Sequence, residues 1–266
     1  MQFQTVDQIE RSLIDDHAPG EEIAPGVVIS RRSVLSLSAL ALAWLALPAP
    51  VRATLRSNAK GAEGERIEVV MAEVRRLATE LIADENADEE AYLKAVHALT
   101  QRMQAAPEPW FGWQVEPGKW DMDVAWYSQP VVLYQLKFEP DAVIDLHDHR
   151  HYNGLLMGVE GSIEVRNFDI VPEANLPLDL KKGVVPPPGR EFLVRQTTKQ
   201  VLEPGKASTL TRDRDNLHVV KAGPKGGVCL DLFTHFNNQA RSYSLEWSDN
   251  PEPGTSDRFR AVWKGD

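Results

Sequence analysis

The sequence predicts a mainly β fold, an antiparallel sandwich or barrel that two α-helices precede. Short runs rich in Val, Ile, Leu, Tyr and Phe recur from Val131 onward, separated by turn residues, which is typical of such folds. Upstream, apolar residues recur three and four positions apart in two segments, which indicates amphipathic helices. With 266 residues, 42% of them hydrophobic and 26% charged, the chain is expected to form one main domain with a packed core.

The charge balance and the cysteine count exclude several classes of function. The chain has 29 Lys and Arg against 39 Asp and Glu, a formal net charge of −10, so no nucleic-acid partner is expected. Cys229 is the single cysteine, which excludes an intramolecular disulfide and a cysteine-rich zinc site. Any bound metal must therefore be held by histidines and carboxylates.

Residues 1–53 are interpreted as a cleavable export signal of the twin-arginine type. Arg31 and Arg32 precede an apolar run from Val34 to Leu47, and a small-x-small pattern ends at Ala53. The run is shorter than the roughly 20 residues that a membrane span needs, so no stable span is expected after cleavage. This interpretation implies a bacterial protein that uses the twin-arginine export machinery and is periplasmic or secreted. A permanent anchor and a buried helix are the alternatives.

Residues 54–108 are expected to form a helical segment. The apolar spacing predicts one helix over Arg66 to Ile82. A second helix is predicted from an acidic first turn, which begins at Asp88 and complements the positive end of the helix, to Met103. His97 lies beside the apolar stripe of this helix and is expected to be structural or exposed.

Residues 109–266 are predicted to form the β domain. Its first stretch contains Trp110, Trp113, Trp120 and Trp126, is too irregular for a helix, and is expected to be core or cover. The predicted strands are Val131 to Phe138, Ala142 to Leu146, Gly154 to Val159, Ser162 to Phe168, Phe192 to Val194, Ser208 to Thr211, Leu217 to Val220 and Val228 to Phe233.

Two breaks in the strand pattern are expected to be turns or loops. Glu160 and Gly161 predict a hairpin turn between two strands. The stretch from Glu173 to Arg190, which contains three consecutive prolines, predicts a long loop between two halves of a barrel. A loop at that position could lie at the rim of a site.

The stretch around His147 and His149 carries the strongest chemical signal. On a strand, residues two apart point to the same face, so these two side chains can converge on one ion. A histidine pair that lines a barrel without metal is the alternative. His218 lies at the start of another predicted strand and is a third candidate ligand.

These residues resemble the motifs of a known barrel family. His147-x-His149 with Gly161 is similar to the first cupin motif, and His218 to the histidine of the second. The resemblance implies a cupin barrel, the double-stranded β-helix or jelly roll, behind the two helices.

A narrower resemblance covers roughly residues 131–245. The segments from Leu146 to His149, Gly161 to Val165, Arg214 to His218 and Leu230 to Leu232 are similar, in order, to cysteamine dioxygenases and plant cysteine oxidases. This resemblance implies a thiol dioxygenase that converts a thiol and O2 to a sulfinate. The substrate would be cysteamine, a cysteine-type thiol or a peptide with an N-terminal cysteine.

The same resemblance implies Fe(2+) held by His147, His149 and His218. Where many cupins have a glutamate ligand, this chain has Asn153 and Gly154, which are poor ligands beside imidazoles. Three neutral ligands would leave the iron its full double charge, and an incoming thiol would bind as thiolate.

The candidate catalytic residues are Tyr152, Asn153, Asp231 and Tyr243. Three of them have an alternative interpretation: Tyr152 could lie on a solvated rim, Tyr243 could be core, and Asp231 could orient a ligand histidine or satisfy a backbone turn. No residues that bind another cofactor are expected.

Four other residues are expected to have no part in the metal site. His151 shares the strand parity of His147 and His149, but three successive residues of one face reach too far to surround one ion. Cys229 is expected to be a buried, inert thiol without a crosslink to tyrosine. His17 and His235 are expected at the surface or in loops.

Two other functions remain open on the sequence alone. A different metal-dependent cupin enzyme, an isomerase or hydrolase, could use the same histidines, and a non-catalytic ligand-binding cupin could use the same fold. A carboxylate on the substrate would need a cation, and Arg150, Arg166, Arg195 and Arg214 are candidates without any being indicated.

Overall fold

The computed structural model describes residues 65–103 and 115–264. The expected export signal in residues 1–53 lies outside these ranges, as do Trp110 and Trp113. No helix within the described ranges has both the length and the apolar character needed to cross a membrane.

The two predicted helices are present, as α1 (Ile67–Ala83) and α2 (Glu89–Thr100). The side chain of Asp88 caps α2 by accepting hydrogen bonds from the backbone N–H groups of Glu90 and Ala91. The apolar faces of both helices pack against the outer side of the β domain, where they join a core that includes Leu133 and Leu232. The helices therefore cover one sheet.

Within the described residues, the β domain has nine strands, all paired antiparallel. They are β1 (Trp120–Ser128), β2 (Val131–Phe138), β3 (Val143–Asp148), β4 (Tyr152–Ile170), β5 (Glu191–Leu202), β6 (Ala207–Leu210), β7 (Leu217–His235), β8 (Leu245–Trp247) and β9 (Arg258–Trp263). The predicted long loop between β4 and β5 is confirmed, and it contains a short 3-10 helix, Leu180–Lys182.

The two long strands β4 and β7 bend and take part in both halves of the barrel. Their pairing at one end continues outward through β2 and β1 on one side and β6 on the other. At the other end they pair with β3 on one side and with β5, β9 and β8 on the other. A backbone bridge between His147 and Ser244, just before β8, closes this second half. The predicted fold class, a mainly β jelly-roll barrel preceded by two helices, is confirmed.

The predicted hairpin at Glu160 and Gly161 is wrong, because β4 runs through this point as one strand. The register with β7 shifts here, and Gly161 adopts a φ of 70°. A Cβ on Gly161 would lie 2.3 Å from the carbonyl oxygen of Gly226 in β7. The glycine thus allows the close approach of two paired strands where both bend. A glycine at such a bend gives the same sequence signal as a glycine in a tight turn.

Strands β1, β8 and β9 were not predicted. In β1 most residues are half-buried, because the strand pairs with β2 alone and lies at the edge of the sheet. Its sequence therefore lacks a clear alternation of apolar and polar residues. Its aromatic residues are nevertheless core, as expected: Trp126 is buried and Trp120 stacks on Phe138.

Candidate metal centre

Three histidines converge inside the closed half of the barrel, as the motif spacing predicts. His147 lies near the end of β3, His149 directly after it, and His218 near the start of β7. The antiparallel register sets His147 opposite His218, which brings the two distant motifs together. All three side chains are buried, and one ring nitrogen from each lies within 4.8 Å of the others.

Backbone carbonyls fix the orientation of two of the rings. Nδ1 of His147 lies 2.8 Å from the carbonyl oxygen of Asp145, and Nδ1 of His149 lies 2.9 Å from that of Asn216. A carbonyl oxygen only accepts hydrogen bonds, so both Nδ1 atoms carry the proton. The lone pairs of both rings are therefore on Nε2, which is the arrangement found in metal-binding histidines.

Asn216 anchors His149 through both its backbone and its side chain. Its Nδ2 donates to the carbonyl oxygen of His149 at 2.8 Å, and its Oδ1 accepts from the backbone N–H of His149 at 3.3 Å. The same amide nitrogen also donates to the carbonyl oxygens of Thr211 and Arg212. Sequence reasoning missed this role, and the only signal was the position of Asn216 two residues before His218.

The nitrogen atoms of the cluster have the environment of metal ligands. Nε2 of His149 is buried and has no hydrogen-bond partner among the described residues. Nε2 of His147 and Nε2 of His218 are 2.9 Å apart, close to the separation of about 3 Å for two nitrogens bound at right angles to one ion with bonds of about 2.1 Å. The residues present therefore fit a bound metal ion.

Burial keeps the three imidazoles neutral. It lowers the pKa of His147 to about 4 and places the pKa values of His149 and His218 well below the usual range, with mutual repulsion among the rings adding to the effect. A neutral imidazole is the form that binds a metal. The cluster can therefore present three lone pairs at neutral pH.

No carboxylate joins the three histidines within the part of the chain that the structure describes. Asp148 lies between two of them in sequence, but its oxygens bind the backbone N–H of Tyr243 at 2.6 Å and Nε of Arg150 at 2.5 Å. Burial raises the pKa of Asp148 to about 6, while Arg150 opposes that rise. The donor set of the centre is three neutral nitrogens.

Of the candidate catalytic residues, Tyr152 lies beside the centre. Its ring packs edge-on against that of His149 with the centroids 5.1 Å apart, and Phe233 of β7 contacts both rings. Tyr152 is buried, and this burial raises its pKa well above the usual range. The two aromatic rings shield one side of the centre from water.

Asp231 lies on the barrel-facing side of β7, two residues before Phe233. Its register neighbours, Tyr134 and Leu156, belong to the core between the two halves of the barrel. The carboxylate makes no hydrogen bond or ion pair with any described residue, and burial alone raises its pKa well above the usual range. Without a ligand that supplies a cation, burial therefore favours the protonated, neutral form of Asp231.

The structure places Asn153 and Tyr243 against other partners than the histidines. Nδ2 of Asn153 donates to the carboxylate of Glu89 in α2 at 3.2 Å. The ring of Tyr243 packs against the guanidinium of Arg150, 4.1 Å away. Catalytic roles for these two residues stay predictions.

The remaining candidates are also placed. His151 has a φ of 62°, separates β3 from β4 and stays outside the cluster, as expected. Cys229 is buried, and burial raises the pKa of its thiol. His235 was expected at the surface or in a loop, but it ends β7 with its ring 5.7 Å from that of Tyr152, and burial lowers its pKa to about 4.

Comparisons with known proteins find similarity in solved structures alone. No family model matches the chain, and no curated protein matches it. The chain is similar to KdgF from Halomonas sp., with 19% identity over 48% of this chain and 89% of that one and a TM-score of 0.33. It is also similar to an RmlC-like cupin from Shewanella frigidimarina, with 18% identity over 52% of this chain and 98% of that one and a TM-score of 0.32. An oxalate oxidase in complex with glycolate is 15% identical over 47% of this chain and 56% of that one, with a TM-score of 0.32. The match therefore spans just over half of the oxalate oxidase.

Proposed function

We propose that the protein is an iron-dependent thiol dioxygenase that converts RSH and O2 to the sulfinic acid RSO2H. The observation that carries the proposal is the donor set: three buried, neutral imidazoles, two of them with Nδ1 protonated and the lone pair on Nε2, with no carboxylate in the cluster among the described residues. When bound there, Fe(2+) supplies the electron transfer between sulfur and O2 that the protein's side chains cannot. Both oxygen atoms of O2 end on the sulfur, which is oxidised as O2 is reduced.

The charge of the cluster supports a thiol as the substrate. The three histidines contribute no negative charge, so the centre favours an incoming ligand that is itself an anion. A thiol that loses its proton on binding meets this requirement.

The surrounding residues would hold the centre in one geometry and keep it dry. The carbonyls of Asp145 and Asn216 fix the proton of two rings on Nδ1, which keeps the Nε2 lone pairs turned inward. Tyr152 and Phe233 pack against His149 and exclude water on that side. Preorganisation of this kind lowers the cost of positioning a small substrate.

The unpartnered carboxylate of Asp231 favours a thiol that also carries an amine. An ammonium group beside Asp231 would favour the ionised form that burial disfavours, and the two charges would then pair. Cysteamine and peptides with an N-terminal cysteine have this combination of groups. 3-Mercaptopropionate has a thiol and a carboxylate, and it offers Asp231 no cation.

The proposal is tested by loading the protein with Fe(2+) without oxygen and then supplying O2 with a thiol. Oxygen consumption and sulfinate, measured by mass spectrometry, are expected with cysteamine or an N-terminal cysteine peptide and to be much lower with 3-mercaptopropionate. Asp231→Asn keeps the shape but cannot ionise to pair with an ammonium group, so we expect at least about a tenfold loss in kcat/KM for the amine-bearing thiols.

Two results would contradict the proposal. One is the absence of sulfinate from cysteamine, cysteine, 3-mercaptopropionate and the peptide when iron is bound in a one-to-one ratio. The other is a different metal in protein purified from its native host, which would favour another metal-dependent cupin enzyme. A protein that holds no metal there would favour a non-catalytic ligand-binding cupin.

We also propose that the protein is exported through the twin-arginine machinery to the periplasm or the medium. The support is the sequence around Arg31 and Arg32, with the apolar run that follows. Replacing both arginines with lysine is expected to leave the protein in the cytoplasm of its bacterial host, as measured by cell fractionation. Unchanged export of this double variant would contradict the proposal.

A further inference from the structure

A pocket with an uncharged lining adjoins the metal centre. It has a volume of about 240 Å³ and lies between the end of α1, the turn that joins β1 to β2 and the segment that follows β7. It is called here the His235 pocket, because His235 lines it and packs its ring against that of Tyr152, with the centroids 5.7 Å apart. None of the three clustered histidines lines the pocket.

His235 presents a neutral imidazole to this pocket. Burial lowers its pKa to about 4, so at pH 7 the ring has one N–H donor and one acceptor nitrogen. Neither nitrogen makes a hydrogen bond with a residue in the part of the chain that the structure describes. Polar groups as deeply buried as this one usually have a hydrogen-bond partner. A ligand in the pocket can supply the partner that His235 lacks.

The other lining residues contribute amides and apolar groups. Gln129, Asn237 and Asn238 have side-chain amides, which donate and accept hydrogen bonds as peptide groups do. Ile82 and Phe236 provide apolar surface. No acidic or basic side chain is found among the described residues that line the pocket. Such a lining favours an uncharged ligand, because a charged group would lose water without gaining an opposite charge.

Two arginines contact lining residues but do not line the pocket themselves. Nε of Arg75 donates to the backbone carbonyl oxygen of Gln129 at 3.0 Å. The guanidinium of Arg212 lies 3.5 Å from the centre of the Phe236 ring, and its Nε donates to the carboxylate of Glu89. Both side chains are thus engaged with groups outside the cavity.

We propose that the His235 pocket binds an uncharged unit of a short peptide, one residue with an amide group on each side, in a site separate from the metal ligands. His235 supplies one hydrogen bond and Asn238 a second, while Ile82 and Phe236 contact the side chain of the bound residue. A volume of about 240 Å³ lies just below the range of about 300 to 1,000 Å³ that drug-sized ligands occupy, which fits a unit of this size. The proposal does not depend on thiol oxidation.

The test is a titration of the full-length protein with N-acetyl-L-leucine N-methylamide, followed by saturation-transfer difference NMR. We expect saturable binding with a Kd of about 1 mM or lower, as is typical of a small ligand that fits its pocket. N-acetyl-L-leucine has a carboxylate in place of the second amide and is expected to bind at least about tenfold more weakly.

Two variants locate the probe in the pocket. His235→Phe keeps an aromatic ring against Tyr152 but removes both nitrogens, so binding is expected to weaken about two- to tenfold. Asn238→Trp places a large side chain at an exposed position of the pocket rim and is expected to abolish saturable binding. His97→Phe makes the same exchange in α2, outside the pocket, and is the matched control with unchanged binding expected. Circular dichroism verifies that each variant is folded.

Four results would overturn the proposal. The first is the absence of saturable binding of the probe, and the second is unchanged binding in both folded pocket variants. The third is equal binding of N-acetyl-L-leucine, since a cation such as Arg75 would then reach the ligand. The fourth is loss of binding in folded His218→Ala, because that result would place the probe at the metal centre.

Discussion

Asn216 positions the metal centre although it does not supply a ligand atom. Its carbonyl oxygen fixes the ring of His149, and its amide group ties the backbone of that histidine to the turn before β7. Partners of this kind typically change metal affinity by 10 to 100-fold when they are lost.

We therefore expect Asn216→Ala to weaken metal binding by about 10 to 100-fold, because the backbone carbonyl remains but the amide that holds it is lost. The measurement is competition with a chelator of known affinity. Asn238→Ala, at an exposed position, is the control and is expected to leave the affinity unchanged. Equal affinities of the two variants would show that Asn216 does not position His149.

His235 gives the stability of the metal-free protein a pH dependence. Burial lowers its pKa from 6.5 to about 4 in the folded state, so the unfolded state binds the proton more readily between these values. The contribution of neutral His235 to the free energy of unfolding is fully present above about pH 6.5, and it is lost as the pH falls toward 4.

Denaturation by urea at pH 7 and pH 4.5 tests this expectation. The free energy of unfolding is expected to fall between the two pH values, and His235→Gln should reduce that fall by about 2 kcal/mol, allowing for partial exposure of the ring. Identical losses in the two proteins would contradict the assigned burial of His235.

The ligand histidines could be predicted at the residue scale because strand parity fixes which side chains share a face. His147 and His149 follow this rule, and the motif resemblance added His218. The roles of Asn216 and Asp231 could not be predicted in this way. They depend on which strands lie side by side, and that pairing links positions far apart in the chain.

At the scale of elements, Glu89 joins α2 to the barrel. Its carboxylate accepts from Nε of Arg212 at 2.8 Å, from the backbone N–H of the same residue and from Nδ2 of Asn153. Both members of the ion pair are largely buried, so removing one leaves the other without compensation. The helix is thus linked to the segment that leads to Asn216.

Glu89→Ala is expected to reduce the free energy of unfolding by about 3 kcal/mol, since the guanidinium of Arg212 would remain without its partner. The neighbouring Glu90 pairs with Arg214 near the surface, so Glu90→Ala should cost less than about 1 kcal/mol. Urea denaturation of the two variants measures the difference. Equal losses would show that Glu89 does not anchor α2 to the barrel.

The helices and most strands were predictable from local patterns, whereas the strand bends were not. The apolar spacing placed α1 and α2 within a few residues of their observed bounds. Gly161 gave a turn signal, yet the chain continues as β4, because the glycine accommodates the close approach of β7. A local sequence pattern cannot distinguish a hairpin turn from a bend at which two paired strands approach closely.

At the scale of the whole molecule, closure of the barrel creates the centre. β3 pairs with β7 on one side and is joined through His147 to the segment before β8 on the other. β8 and β9 were not predicted, since a three-residue strand and a strand after a Pro/Gly-rich turn leave little periodic signal. The fold class could still be predicted, because the central strands carry both the apolar runs and the histidine motifs.

The central claim is that His147, His149 and His218 bind one metal ion together. The most direct measurement is anomalous X-ray diffraction at the iron edge from crystals of anaerobically Fe(2+)-loaded protein. We predict one strong peak within about 2.1 Å of the three Nε2 atoms. Iron bound elsewhere, or bound by the β3 pair without His218, would contradict this account of the centre.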